Sequence, residues 1–147
     1  MIVDSSALIA ILKHEPQWQA FSKTLDLAES SRISAANYLE TSIVVDDWKS
    51  PTLSINFDEL IERFKIVIEP VTETQAKIAR QAYRDYGKGS GHPAGLNFSD
   101  CFTYALAREK REPVLWKGDD FGHTDLRAAM ETLSEFVALK ESESHPH

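Results

Sequence analysis

Four short apolar runs alternate with longer helical segments along the chain, and this alternation constrains the fold more than any other feature. The runs are Ile2-Val3, Arg32-Ile33-Ser34, Ile66-Val67-Ile68 and Pro113-Val114-Leu115-Trp116. Short apolar strands separated by helices form parallel sheets with helices on both faces. The sequence therefore predicts an α/β fold with a central parallel sheet.

The segments between the runs carry helix signals. We predict a helix over residues 6–12, a second helix that has Pro16 in its first turn and a further one that opens at Pro51. Three more helices carry capping signals: 35–48 with Ser34 as N-cap, a helix to about 86 that begins with a capping box at Thr72, and 98–110 with Asn97 as N-cap. Residues 87–95 contain four glycines and one proline, which predicts an irregular loop. The 147 residues are typical of one domain, so we expect a single domain over 1–139 and a flexible polar tail over 140–147.

The composition excludes several classes of protein. No apolar run approaches the ~18–20 residues that span a bilayer, so we expect no membrane association. The first residues lack the basic region and apolar stretch of a secretory signal. The single cysteine, Cys101, excludes an internal disulfide and a CxxC zinc site, and it fits a cytoplasmic location.

The net charge of −7 argues against a protein that coats nucleic acid with a basic surface. It does not exclude a protein whose acidic residues hold cations, because two divalent ions would bring the charge from −7 to −3.

Acidic residues follow predicted strands or open predicted helices at three points of the chain. Asp4 follows the first run, Asp100 lies in the first turn of the helix capped by Asn97, and Asp119 and Asp120 follow the fourth run. Each has a structural alternative. Asp4 could be a solvated residue at a strand end, Asp100 could serve only to stabilise the helix dipole, and one of the last pair could cap the turn. The helix dipole is expected to keep Asp100 ionised.

Glu40 is a fourth candidate, within the predicted helix 35–48. Its helical neighbours Ala36, Ile43 and Val44 are apolar, so we expect Glu40 on a buried face. A buried carboxylate needs a cationic partner, a proton or a metal. The alternative is a structural ion pair, or a position at the edge of the apolar stripe with the carboxylate in water.

These acidic residues are expected to meet at the carboxyl edge of the sheet, where ligands bind in open α/β folds. Clustered carboxylates repel one another unless cations lie between them. Oxygen ligands without histidine or cysteine favour Mg²⁺ or Mn²⁺, and such ions promote phosphodiester cleavage.

Four blocks of sequence resemble the PIN-domain VapC toxins of type II toxin–antitoxin pairs, over residues 1 to about 128. The blocks are Met-Ile-Val-Asp-Ser-Ser-Ala-Leu-Ile at 1–9, Ile-Ser-Ala-Ala-Asn-Tyr-Leu-Glu at 33–40, Gly-Leu-Asn-Phe-Ser-Asp-Cys-Phe at 95–102 and Lys-Gly-Asp-Asp-Phe at 117–121. The resemblance implies a three-layer α/β/α PIN-like domain and a Mg²⁺-dependent endoribonuclease. It implies that Asp4, Glu40, Asp100 and, in preference to Asp120, Asp119 are the catalytic metal-binding residues, with Ser6 and Asp120 in supporting positions.

The resemblance also implies partners: an RNA substrate such as tRNA or rRNA, a VapB-like antitoxin, and a homodimer or toxin–antitoxin hetero-oligomer. Because the chain is acidic, we expect RNA to be held by a few cations, for which Lys13, Arg80, Arg84 and Lys117 are candidates. The alternative for the two arginines is a solvated surface charge paired with Asp85 or Glu73.

Two other functions are compatible with parts of the pattern. One is a non-catalytic PIN-like binding module, although no acidic position has been lost. The other is phosphotransfer through an aspartyl phosphate, but Asp4 stands alone at its strand end and Ser6 occupies the position where one such class has a second aspartate.

Overall fold

The computed structural model describes residues 1–130 and 141–142. Four parallel strands form one sheet in the order β3-β2-β1-β4. Their bounds are β1 Ile2–Val3, β2 Ser31–Ser34, β3 Ile66–Glu69 and β4 Val114–Leu115. The all-parallel sheet predicted from the sequence is thereby confirmed. Most of the predicted tail, 140–147, lies outside the described residues.

Six α-helices connect the strands in the described part of the chain. They are α1 Ser5–Leu12, α2 Trp18–Leu27, α3 Ala35–Asp47, α4 Pro51–Arg63, α5 Glu73–Tyr86 and α6 Phe98–Lys110, followed by a 3₁₀ turn at Asp120–His123. The side chains of Ser34, Thr72 and Asn97 cap α3, α5 and α6 as predicted.

Two local predictions at helix starts are wrong. Pro16 lies in a turn before α2 and not in its first turn, because the helix begins at Trp18 after Gln17 takes a left-handed conformation with φ of 73°. At α5, Thr72 accepts a hydrogen bond from the backbone N–H of Gln75, but the Gln75 side chain donates to Glu109 on α6 instead of closing a capping box.

Helices cover both faces of the sheet. Val3 and Leu115 pack with residues of α1 to α4, including Leu8, Phe21 and Phe57. The alternate strand residues Ile2 and Val114 pack on the other face, against Leu106 and Ala107 of α6. Because successive strand residues point to opposite faces, the two apolar layers give the three-layer α/β/α arrangement.

This topology brings several chain segments to the carboxyl edge of the sheet. The backbone N–H of Asp4 donates to the carbonyl of Leu115 at 2.9 Å, so the ends of β1 and β4 are adjacent. The start of α3 follows β2 at the same edge. In the part of the chain that the structure describes, no helix has the length and apolar character to cross a membrane.

The loop 87–95 is irregular, as predicted, and is closed at its base. The backbone N–H of Lys88 donates to the carbonyl of Leu96 at 2.9 Å, and that of Leu96 donates to Tyr86 at 2.8 Å. Ala94 and Leu96 are buried against α5 and α6, which fixes the entry into α6.

Candidate active site

Asp4 is the most firmly held of the acidic residues at the carboxyl edge. It caps α1 and is 5% exposed. Its Oδ2 accepts hydrogen bonds from the backbone N–H of Ser6 at 3.1 Å and from Ser6 Oγ at 2.6 Å. Its Oδ1 accepts a hydrogen bond from Thr103 Oγ1 at 2.6 Å. Hydrogen bonds from both sides therefore fix the orientation of this carboxylate.

Ser6 also connects the first strand with the fourth. While its hydroxyl donates to Asp4, its Oγ accepts a hydrogen bond from the backbone N–H of Lys117 at 2.9 Å. Lys117 lies just after β4 and three residues before Asp120. Ser6 thus joins Asp4 to the segment that carries the last pair of acidic residues.

Asp100 lies in the first turn of α6, where its Oδ2 accepts a hydrogen bond from the backbone N–H of Asn97 at 3.0 Å. Its pKa is raised from 3.8 to about 6, chiefly by burial and further by the negative charges of Asp4, Asp120 and Glu40. The hydrogen bond from Asn97 lowers the pKa but does not offset these effects. Burial and like charges therefore outweigh the helix dipole, although a pKa of about 6 still leaves most of the Asp100 carboxyls ionised at pH 7.

Glu40 is exposed, and the prediction that it lies on a buried face of α3 is wrong. The buried positions of α3 are Asn37, Thr41 and Val45, whereas Ile43 beside Glu40 is 52% exposed. Two polar residues can face inward because their groups are satisfied there: Thr41 Oγ1 donates to the Asn37 carbonyl at 2.7 Å. The charge of Glu40 nevertheless contributes to the raised pKa of Asp100.

Asp119 and Asp120 are both exposed at the 3₁₀ turn after β4. Asp120 is among the charges that raise the pKa of Asp100, and Asp119 is not. Asp4, Glu40 and Asp120 are therefore close enough to Asp100 for their charges to act on it. Asp119, which we preferred from the sequence, is not among the residues that affect Asp100.

The four acidic residues are neighbours but do not form a closed cage. Across residues 1–130 and 141–142, no three histidine, cysteine, aspartate or glutamate side chains converge closely enough to hold a metal ion as they stand. Repulsion between the carboxylates favours this separation. Their donor chemistry nevertheless fits a hard cation, because every ligand atom they offer is a carboxylate oxygen.

Two buried polar residues beside Asp4 were missed in the sequence. Thr103 is fully buried in α6, and Asn37 is 1% exposed in α3. Thr103 Oγ1 lies 3.1 Å from Asn37 Oδ1, and Asn37 Nδ2 donates to the carbonyl of Ser99 at 2.9 Å. Their spacing could have indicated them. Thr103 lies three residues after Asp100, and Asn37 lies three residues before Glu40, so each is a helical neighbour of a candidate acidic residue.

The four cations proposed for RNA binding differ in how far they are engaged by the protein. Lys117 Nζ pairs with Glu15 at 2.5 Å, and Lys13 Nζ lies 4.2 Å from the centroid of the Trp48 ring. Arg80 and Arg84 are exposed on α5, and neither forms an ion pair with any residue that the structure describes.

The carboxylates suggested as partners for the two arginines are engaged elsewhere. Glu73 pairs with Lys77 at 3.0 Å, and Asp85 accepts a hydrogen bond from Gln81 at 3.1 Å. The arginines instead border an apolar pocket of about 530 Å³ between α5 and α6, which is also lined by Tyr83, Phe98 and Phe102.

Comparison of the sequence with known protein families and known proteins identifies relatives that match most of the chain. The PIN domain family matches residues 1–126. The chain is 56% identical over 131 residues to ribonuclease VapC28 of Mycobacterium tuberculosis, a match that covers 89% of this chain and 98% of the relative. It is 46% identical over 129 residues to ribonuclease VapC42 of the same species, covering 88% of this chain and 98% of the relative.

Solved structures share the fold at low sequence identity. VapC20 of Mycobacterium tuberculosis, described as a sarcin–ricin loop cleaving toxin, superposes with a TM-score of 0.66 and 16% identity, over 85% of this chain and 95% of that one. A toxin–antitoxin complex from Klebsiella pneumoniae gives 0.63 and 13%, over 82% and 88% of the two chains. From the match over residues 1–126 and the close relatives, we conclude that the chain belongs to the PIN domain family, among proteins named VapC ribonucleases.

Proposed function

We propose that the protein is a metal-dependent endoribonuclease that acts as the toxin of a toxin–antitoxin pair. The observation that carries this proposal is the grouping of Asp4, Glu40 and Asp120 around Asp100. The pKa of Asp100 is raised to about 6, chiefly by burial and further by the negative charges of these three neighbours. Ionised carboxylates that repel one another at a half-buried site favour a bound cation. The relatives that share 46–56% of the sequence are named ribonucleases.

Asp4, Glu40 and Asp100 are the residues that would hold Mg²⁺ or Mn²⁺, and we assign the fourth position to Asp120 in preference to Asp119. The electrostatic coupling of Asp120 to Asp100 supports this choice. When bound, such an ion polarises a phosphoryl oxygen and lowers the pKa of water.

The protein's own side chains supply orientation and access. Asp4 is held on both carboxylate oxygens, while Glu40 and Asp120 are exposed and leave the crevice open to an RNA backbone. Of the candidate cations, Arg80 and Arg84 are the better RNA contacts, because Lys117 is paired with Glu15.

The partners follow from the relatives. A structured RNA, such as tRNA or rRNA, is the proposed substrate, and a VapB-like protein is the proposed antitoxin. The structural neighbours described as a sarcin–ricin loop cleaving toxin and as a toxin–antitoxin complex support these choices. A homodimer or a toxin–antitoxin hetero-oligomer in the cytoplasm is the proposed state.

The test is RNA cleavage by purified Asp4→Asn and Asp100→Asn variants, with Mg²⁺ or with a chelator. Both variants, and the chelated wild type, are expected to lose cleavage while thermal unfolding shows that they remain folded. Asp46→Asn is a matched control, because Asp46 is an exposed carboxylate on α3 that accepts a hydrogen bond from Ser54. Cleavage by Asp100→Asn at the wild-type rate would refute the assignment.

A non-catalytic binding module is the second candidate, favoured by the open arrangement of the acidic residues. Titration of the wild-type protein with Mn²⁺ separates the two functions. A nuclease is expected to give a saturable heat that Asp100→Asn abolishes, and a non-catalytic module is expected to give none.

A further inference from the structure

The buried side chains of Thr103 and Asn37 lie between the elements that carry the acidic residues. We propose that Thr103 is a positioning residue that fixes Asp4 relative to Asp100, and that Asn37 holds Thr103 and the first turn of α6 in place. This inference rests on the proposed function, in which Asp4 and Asp100 bind a metal together.

The hydrogen bond from Thr103 is the long-range restraint on Asp4. Ser6 restrains Oδ2 from two residues away, within the same turn. Thr103 restrains Oδ1 from 99 residues away, across the gap between β1 and α6, at 2.6 Å. Both contacts are short, as expected for a hydroxyl that donates to a carboxylate.

Thr103 lies on the same helix as Asp100, three residues later, so the two side chains project from neighbouring turns of one face. A bond from Thr103 to Asp4 therefore sets the distance between the Asp4 and Asp100 carboxylates. The like charges of the two carboxylates repel each other, which acts against this closeness.

Asn37 extends the restraint to α3. Its Nδ2 donates to the carbonyl of Ser99, next to Asp100, and its Oδ1 lies 3.1 Å from Thr103 Oγ1. A hydroxyl has one proton, and the shorter contact with the charged Asp4 takes most of it, which leaves Asn37 as a weaker second acceptor. Because Glu40 lies three residues after Asn37, the buried network joins the helices that carry Glu40 and Asp100.

A purely structural role for Thr103 makes a different prediction from a positioning role. Thr103→Val keeps the volume and removes the hydroxyl, whereas Thr103→Ser keeps the hydroxyl and removes a methyl group at a fully buried position. If Thr103 only fills space, the serine variant is the more damaged. If its hydroxyl positions Asp4, the valine variant is the more damaged in metal binding.

The experiment is calorimetric titration with Mn²⁺ of the wild type, Thr103→Val, Thr103→Ser and Asp100→Asn, at pH 7.5 and without RNA. We expect Thr103→Val to bind Mn²⁺ about 10–100-fold more weakly, the usual effect of removing a partner of a metal ligand, and Thr103→Ser to bind close to the wild type. Thermal unfolding measured on the same samples reports the packing effect separately. Thr103→Cys, whose thiol is a weak donor of similar size, replaces the valine variant if that one does not fold, and it is expected to be intermediate.

The outcomes separate the two proposals. If the wild type binds Mn²⁺, Asp100→Asn does not, and Thr103→Val binds like the wild type, then the positioning role is overturned and the metal site stands. If Thr103→Ser loses as much affinity as Thr103→Val, the effect is one of packing and the positioning role is also overturned. If the wild type shows no saturable heat, both proposals fail.

Discussion

The raised pKa of Asp100 predicts that replacing this residue stabilises the fold while it removes activity. The pKa is about 6 in the folded protein against 3.8 for the free side chain. Between these values the native state binds more protons than the unfolded state, so the free energy of unfolding falls as the pH rises through this window. Above about pH 7 the full cost of the ionised carboxylate is present, and Asp100→Asn, which cannot ionise, is expected to avoid it.

The magnitude follows from the shift of about two pKa units. At ~1.4 kcal/mol per unit the upper limit is about 3 kcal/mol, and because Asp100 is only partly buried we reduce the expected effect to ~1–2 kcal/mol. The asparagine side chain keeps an oxygen that can accept the hydrogen bond from the backbone N–H of Asn97, so the start of α6 is retained.

The assay is urea unfolding of the wild type and Asp100→Asn from pH 4 to pH 8, in the presence of a chelator. The variant is expected to be the more stable at pH 8, and the difference is expected to vanish towards pH 4. Asp119→Asn is the matched control, because Asp119 is exposed and does not contribute to the shifted pKa. Equal or lower stability of Asp100→Asn at pH 8 would refute the electrostatic reasoning. With the chelator omitted, added Mn²⁺ should raise the stability of the wild type and of Asp119→Asn but not that of Asp100→Asn.

Three further predictions follow from the site and the core. Asp120→Asn is expected to reduce the initial rate of RNA cleavage by at least about tenfold, and Asp119→Asn is expected to leave the rate on the same RNA nearly unchanged. The reverse order would assign the fourth metal-binding position to Asp119. Phe57 is 3% exposed in the core, so Phe57→Ala is expected to lower the free energy of unfolding by about 3–5 kcal/mol. A loss below about 1 kcal/mol in urea titration would contradict the buried position of Phe57. RNA binding can be measured in an Asp100→Asn background, where Arg84→Gln is expected to weaken the affinity and to reduce its salt dependence. Lys117→Gln is expected to have a smaller effect because Lys117 is paired with Glu15, and equal losses of affinity would contradict this difference.

The sequence predicts the sheet and its helices well because their signals are local. Ser34, Thr72 and Asn97 each cap a helix through a hydrogen bond to a residue two or three positions away. The position of Asp4 is equally local, since it follows β1 directly and caps α1. Such features depend on residues that are close together in the chain, so they can be predicted from the sequence.

The site is less predictable because it depends on contacts between distant segments. The apolar neighbours of Glu40 predict a buried face, but α3 buries Asn37 and Thr41 instead. Thr41 bonds within its own helix, whereas Asn37 is satisfied by the Ser99 carbonyl, 62 residues away, and no local pattern reveals that contact. The bond from Thr103 to Asp4 spans 99 residues. The choice between Asp119 and Asp120 likewise depends on how the turn after β4 faces α6.

The acidic site has one side whose carboxylate is restrained and another whose carboxylates are not, and this asymmetry matters for the design of small inhibitors. Asp4 is restrained by Ser6 and Thr103, whereas no hydrogen bond is seen between the carboxylates of Glu40 or Asp120 and the residues that the structure describes. A compound that contacts the Asp4 side meets a surface already ordered, so little conformational entropy is lost on binding. A compound that depends on Glu40 or Asp120 must first order their side chains, at about 1 kcal/mol each. High affinity is therefore best sought next to Asp4.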